Sequence, residues 1–150
     1  RKHLKEDIHW MARQFNSAGA HLGHRYFSSP IIIPDGTPEP PDDLSRVTQS
    51  TWPGSRAPHA WLDDGLSTLD WFGDGFVLYF IPKKKESAQL IKKKFAKLGI
   101  PISLVTSVLP NVQQLYEAPL VLVRPDGHVA WRGEMPPTNV TNLALQVAGQ

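Results

Sequence analysis

Apolar residues recur along the chain with two different periods, and the change between them divides it. In residues 1–27, Leu4, Ile8, Met11 and Phe15 recur at three- and four-residue intervals, with Trp10 and Ala12 adding bulk. That spacing predicts a helix. NSAG at 16–19 ends it, with Gly19 as the cap. SSPIII at 28–33 predicts a brief strand. FVLYFI at 76–81 is a continuous apolar run of β-formers, the pattern of a strand buried on both faces. KESAQLIKKKFAKLG at 85–99 returns to the helical period, with Ala88, Ile91, Phe95 and Leu98 on one face and Gly99 as cap. PISLVTSV at 101–108 predicts a second buried strand. PLVLVRPDGHVAWRG at 119–133 predicts two strands joined by Pro125-Asp126-Gly127, where Pro presets φ and Gly127 is free to adopt positive φ. TNVTNLALQVAG at 138–149 closes the pattern as a helix with Thr138 at its N-cap.

Between the two halves the periodicity fails. Residues 34–58 hold six prolines and few large apolar residues. Such a segment runs extended, as a polyproline-like strap across a surface. Beyond it, WLDDG at 61–65 predicts a short strand and turn, and LSTLDWFG at 66–73 a helical turn ending at Gly73. Three parts follow: an N-terminal helical segment (1–27), a Pro-rich strap (28–58) and an α/β domain (59–150). The α/β order is strand, helix, strand, connection, hairpin, helix. A strand–helix–strand unit in one sheet forces a parallel pair, and the hairpin adds antiparallel strands.

Composition narrows the chemistry. The sequence has 150 residues and no cysteine. Disulfides, thiol nucleophiles, cysteine zinc sites and dithiol redox chemistry are therefore excluded. The net charge of +2 gives no reason to expect a nucleic-acid partner. No apolar run approaches the ~18 residues of a membrane-spanning helix. No signal peptide is legible, and a cytoplasmic setting is expected.

PGSRAPHAWLDDG at 53–65 gathers Arg56, His59, Asp63 and Asp64 around Trp61. Convergence on one pocket would make an acid–base or anion site. The expectation here is a structural clasp instead. Pro53 and Pro58 fix its path, Trp61 plugs the core, and Arg56 and His59 satisfy nearby carbonyls or carboxylates. His21 and His24 have no acidic or thiol residue at ligand spacing, so no metal is expected there. The lysines at 83–85, 92–94 and 97 are read as a solvated face, since no aromatic is interleaved for base stacking. Trp131 is either an interface anchor or part of the core against the last helix. The NVT triplet at 139–141 is read as a chance glycosylation sequon.

The α/β part resembles the thioredoxin fold over residues 75–149, a mixed sheet with helices on both faces. APLVLVRPDGHVAWRG at 118–133 is its most specific portion. In that family the proline opening this strand is cis, so the resemblance implies a cis bond at Pro119. The place of the redox Cys-x-x-Cys reads IPKKKESAQL at 81–90.

A narrower resemblance covers residues 9–149. LGHRYFSSPIII, PGSRAPHAWL, LDWFGDGFVLYF and LVLVRPDGHVAWRG occur in the order found in the C-terminal region of flavin-dependent aromatic hydroxylases, the phenol 2-monooxygenase and 2,4-dichlorophenol 6-monooxygenase group. The resemblance implies a parent enzyme using FAD and NAD(P)H, with neither cofactor bound by this chain. The Gly-x-Gly-x-x-Gly dinucleotide loop does not occur in it. The expected role is a structural, dimerising module without catalytic residues. The strap and the N-terminal helix, with Ile8, Trp10, Met11 and Phe15, would dock on the enzyme's own FAD and substrate parts or on a second subunit. A free-standing, redox-inactive protein-binding module is the alternative. An enzyme working through Arg56, His59 and Asp63 is a third reading.

Overall fold

The computed structural model describes residues 11, 17–26 and 28–150. Ile8, Trp10 and Phe15 lie outside the described residues, and Met11 is helical and exposed. The elements in order are α1 (Ala18–Leu22), β1 (Phe76–Phe80), α2 (Lys85–Lys97), β2 (Ile102–Val105), α3 (Pro110–Tyr116), β3 (Leu120–Val123), β4 (Val129–Gly133) and α4 (Val140–Val147). Single 3-10 turns at Thr68–Trp71 and Pro82–Lys84 precede β1 and α2 respectively. Among the described residues, no helix is long and apolar enough to cross a membrane.

The four strands form one mixed sheet in the order β2-β1-β3-β4. β1 and β2 are parallel; β3 runs antiparallel to both β1 and β4. This is the thioredoxin-like arrangement. The central strands β1 and β3 are buried at every position, as their unbroken apolar runs require. One face packs Leu78, Phe80, Leu120 and Leu122 against Ala88, Ile91 and Phe95 of α2 and Leu143, Ala144 and Val147 of α4. The other packs Tyr79, Val121 and Val123 against Val112 and Tyr116 of α3. Trp131 is 7% exposed and belongs to the first of these cores. It completes the packing against the last helix, so it is not an exposed interface anchor.

Several expectations are corrected. The segment read as a connection contains α3, which starts with Pro110 at its first turn and buries Val112 and Tyr116 four residues apart. β2 is a half-buried edge strand rather than a fully buried one. Gly19 lies inside α1 instead of ending a helix. A Cβ there would stand 1.7 Å from the Asp43 carbonyl oxygen, so glycine admits the strap against the helix. The N-cap of α4 is Asn139, which accepts from the Asn142 N–H, rather than Thr138.

The Ala118–Pro119 bond is trans, against the cis geometry implied by the resemblance. The chain reverses one residue earlier. Glu117 takes φ 59° and the Ala118 N–H donates to the Tyr116 carbonyl, so the turn into β3 is made before the proline.

Candidate functional site

The strap is extended, as its prolines dictate, but it is not loosely laid. Its first half is gripped by Arg25. That side chain is 8% exposed, pairs with Glu39 at 3.0 Å and Asp42 at 2.8 Å, and donates to the Pro40 carbonyl at 2.9 Å. Its last third is embedded: Thr51, Ser55 and Ala57 are buried. Here the strap lines the outer side of β4. Gly54 donates to Val129, Val129 donates to Ser55, and Ala57 donates to Gly127, all at 2.8–2.9 Å. Gly127, at φ 80°, closes the β3–β4 turn that receives it.

The densest polar constellation centres on Arg132, at the end of β4. Its guanidinium donates to Asp35 through Nε at 2.5 Å, to Glu117 through Nη1 at 2.5 Å and to the Thr37 hydroxyl through Nη2 at 3.1 Å. Thr51 completes the group, donating to the Tyr116 carbonyl at 2.6 Å. The Arg132 and Asp35 side chains are 13% and 14% exposed, with Asp35 on an otherwise exposed stretch of the strap, so this charge pair is partly shielded from water. Burial pulls the Asp35 carboxyl upward. The Thr37 and Arg132 hydrogen bonds and the Arg132 charge outweigh it, holding the group below the usual carboxylate range. The arrangement joins the strap, β4 and the turn before β3 through one fork-shaped cation. It also secures Glu117 in its left-handed conformation. Sequence reasoning missed this site, because its acids lie 97 and 15 residues from the arginine.

A second cation works similarly at the hairpin. Arg124 bonds Asp126 and donates to the Val147 carbonyl at 3.2 Å, tying the β3–β4 turn to the end of α4. Burial raises the Asp126 carboxyl. The His128 N–H and Arg124 more than reverse that and leave it below its ordinary value.

The sequence-predicted constellation at 53–65 does not converge. The Arg56 and Asp63 side chains make no hydrogen bond or ion pair among the described residues. His59 is held through its backbone, which exchanges bonds of 2.7 and 3.2 Å with the Gln49 side-chain amide. Asp64 caps the turn by accepting from Leu66 N–H. Thr68 supplies the bonds expected of Arg56 and His59. Its hydroxyl donates to the Pro58 carbonyl at 2.9 Å and accepts from the Ala60 N–H at 3.0 Å. Trp61 does not plug the core. It is 66% exposed, on a small hairpin where Leu62 and Leu66 pair, with its ring 5.0 Å from His59. The core position is filled instead by Ala60 and by Trp71, stacked on Tyr79 at 6.2 Å.

Tyr79 and Tyr116 pack at 4.4 Å, fully buried, and neither phenol oxygen has a hydrogen-bond partner among the described residues. Burial pushes the Tyr79 phenol up to about 12 and the Tyr116 phenol up further. Thr68 lies close enough to Tyr116 to counter this slightly, but its hydroxyl is committed to Pro58.

The other candidate groups stay apart. Lys83, Lys85, Lys92, Lys93 and Lys97 point to solvent. His21 and His24 are exposed, and among the described residues no three His, Asp or Glu side chains come together as a metal site. The turn after β1, Ile81-Pro82-Lys83-Lys84, opens α2 without the glycines a phosphate needs for close approach. Three surface concavities have volumes of about 230, 260 and 360 Å³. Two lie below the ~300–1,000 Å³ range of drug-sized ligand sites and the third at its low end.

The comparisons with known proteins agree with this geometry. Residues 50–150 match the family model "aromatic-ring hydroxylase, C-terminal". The FAD-dependent monooxygenase apdD of Emericella nidulans is 38% identical, over 79% of this chain and 20% of its own length. Phenol 2-monooxygenase of a Pseudomonas species is 33% identical, over 81% of this chain and 23% of its own. Among solved structures, the substrate-free rebeccamycin biosynthetic enzyme RebC superposes with a TM-score of 0.80 at 39% identity, over 97% of this chain and 26% of its own. Aklavinone-11 hydroxylase in complex with FAD and aklavinone gives 0.72 at 27% identity, over 89% and 28%. This chain therefore spans about a fifth to a quarter of the length of these relatives. The chain belongs to the aromatic-ring hydroxylase C-terminal domain family.

Proposed function

We propose that this chain is the non-catalytic C-terminal module of a flavin-dependent hydroxylase of phenol-type rings, a redox-inert thioredoxin-like unit that stabilises the enzyme and helps it dimerise. In this reading FAD and NAD(P)H are held by other parts of the polypeptide. The module's partners are the enzyme's own FAD and substrate parts or a second subunit, in the cytoplasm. The observation that carries the reading is the turn after β1. A redox thioredoxin fold opens this helix with its thiol pair, and the position here is Ile81-Pro82-Lys83-Lys84. The neighbouring polar groups support it, since Thr51, Thr68, Arg124 and Arg132 are spent on holding backbone and strap.

Titration of the 150-residue chain with FAD tests the assignment. Flavin fluorescence should remain that of free FAD, and saturable quenching at micromolar FAD would overturn it. In the longer hydroxylase, His59→Ala should leave kcat within about twofold, because it removes no transition-state contact. Deleting the module should lower the melting temperature and convert dimer to monomer in sedimentation.

A further inference from the structure

One surface of the module is not finished. Leu22 of α1, Val47 and Gln49 of the strap, Arg56, His59 and Leu69 line a concavity of about 230 Å³. Trp61 stands next to it, its indole 5.0 Å from the His59 ring, and Leu66 lies on the other strand of the same small hairpin, opposite Leu62. The large apolar side chains along this line are well exposed: Leu22 50%, Trp61 66% and Leu66 52%. Scattered apolar residues need no explanation, but a contiguous apolar patch around a pocket marks a contact surface. The patch centres on a tryptophan and an arginine, the residue types that dominate interface energetics, with the exposed carboxylates Asp63 and Asp64 at its rim on the hairpin tip. Among the described residues Arg56 is the only formal charge lining the concavity, and its guanidinium has no partner there. A tryptophan held on a two-stranded turn, whose backbone is fixed by Thr68 and Asp64, loses little freedom on docking.

The polypeptide missing from this surface can be named by class. The matched family is a C-terminal one, and this chain covers only 20% to 28% of the relatives' own length. In a C-terminal family that further polypeptide lies on the N-terminal side of the matched region, and α1 supplies Leu22 to the patch. We propose that the α1–Trp61 face is the docking surface for the preceding, flavin-bearing part of the same polypeptide. That part seats an apolar side chain in the Leu22–Leu69 concavity and an acceptor, carboxylate or carbonyl, opposite Arg56. The proposal rests on the hydroxylase reading and adds which face makes the contact. The face uses the second half of the strap, through Val47, Gln49 and Arg56, and not the first half that Arg25 grips.

Hydroxyl-radical footprinting with mass-spectrometric readout compares the 150-residue chain with the longer FAD-loaded enzyme. Oxidation of Trp61 and Leu66 should fall at least ~fivefold in the longer enzyme, as for side chains moved from the surface to an interface core. Met135 and Leu90, exposed away from this face, should be unchanged and serve as references. Trp61→Glu in the longer enzyme should restore Leu66 oxidation to the level of the isolated chain while FAD stays bound. Three results would overturn the proposal. Equal oxidation of Trp61 in both proteins, with FAD bound in the longer one, refutes the docking face and leaves the hydroxylase reading standing. Protection that appears in the 150-residue chain as its concentration rises assigns the face to a second copy. A reading frame that encodes no flavin-bearing part removes both the proposal and the reading beneath it.

Discussion

Arg132 provides the sharpest test of the clasp. Replacing it with methionine keeps the apolar stem and removes every donor. Asp35, only 14% exposed, then keeps its negative charge with no cation beside it, and Glu117 is left in a left-handed conformation without its anchor. Removing one partner of a fully buried pair costs about 3–5 kcal/mol, and an exposed pair about 0–1. The Asp35 side chain is 14% exposed on an otherwise exposed stretch of the strap and so lies between the two limits, while Glu117 is 42% exposed and contributes little beyond its turn. The expected loss is about 2–3 kcal/mol, or roughly 5–10 °C in melting temperature for a chain of this size. Urea denaturation followed by Trp fluorescence measures it as a fall in midpoint at unchanged slope. A cycle with Asp35→Asn isolates the pair, since the double variant should lose less than the sum of the single variants. The wild-type pH profile is a second readout. The folded Asp35 carboxyl lies below its unfolded value of about 3.9, so the unfolded state takes up the proton first. Its stabilisation is complete above that pH and disappears as pH falls toward the folded value. Arg132→Met should flatten this acid limb. A loss under about 0.5 kcal/mol, the scale of an ordinary surface substitution, would refute the reasoning.

Four further outcomes follow from the same geometry. Thr68→Val leaves the Pro58 carbonyl and Ala60 N–H without their partner, and should cost about 1–3 kcal/mol in urea unfolding. Tyr79→Phe removes a buried hydroxyl that has no partner, and should be neutral or stabilising by up to ~1 kcal/mol, whereas Tyr79→Ala should cost about 3–5 kcal/mol. Because the Tyr79 phenol is raised to about 12, its contribution is whole below about 10 and lost as pH climbs through 12; Tyr79→Phe should weaken alkaline unfolding followed by circular dichroism. Gly54→Ala sets a Cβ 2.9 Å from the Tyr26 carbonyl oxygen at φ 98°, and should cost at least about 1–2 kcal/mol by thermal melting.

The sheet was legible because its signal is local. FVLYFI and LVLV are apolar at every position, as strands buried on both faces must be, and KESAQLIKKKFAK carries the helical period on one face. Turn chemistry located Gly127 for the same reason. Where the signal was weak the reading failed: α3 is seven residues with only two buried, and the edge strand β2 differs from a buried one only in what lies beside it. The absence of cysteine by itself removed thiol redox chemistry from the fold's possibilities.

The candidate site was beyond the reach of spacing. Trp61 could be known as a large aromatic but not as an exposed one, because Ala60 and Trp71 took the inward places. Arg56, His59 and Asp63 are near in sequence and do not converge, while Arg132 meets Asp35 across 97 residues. Periodicity and composition act over a turn or a strand, and so the succession of strands and helices along the chain followed from them. Which charges meet depends on how the strap crosses the finished sheet, and that crossing is set by tertiary packing.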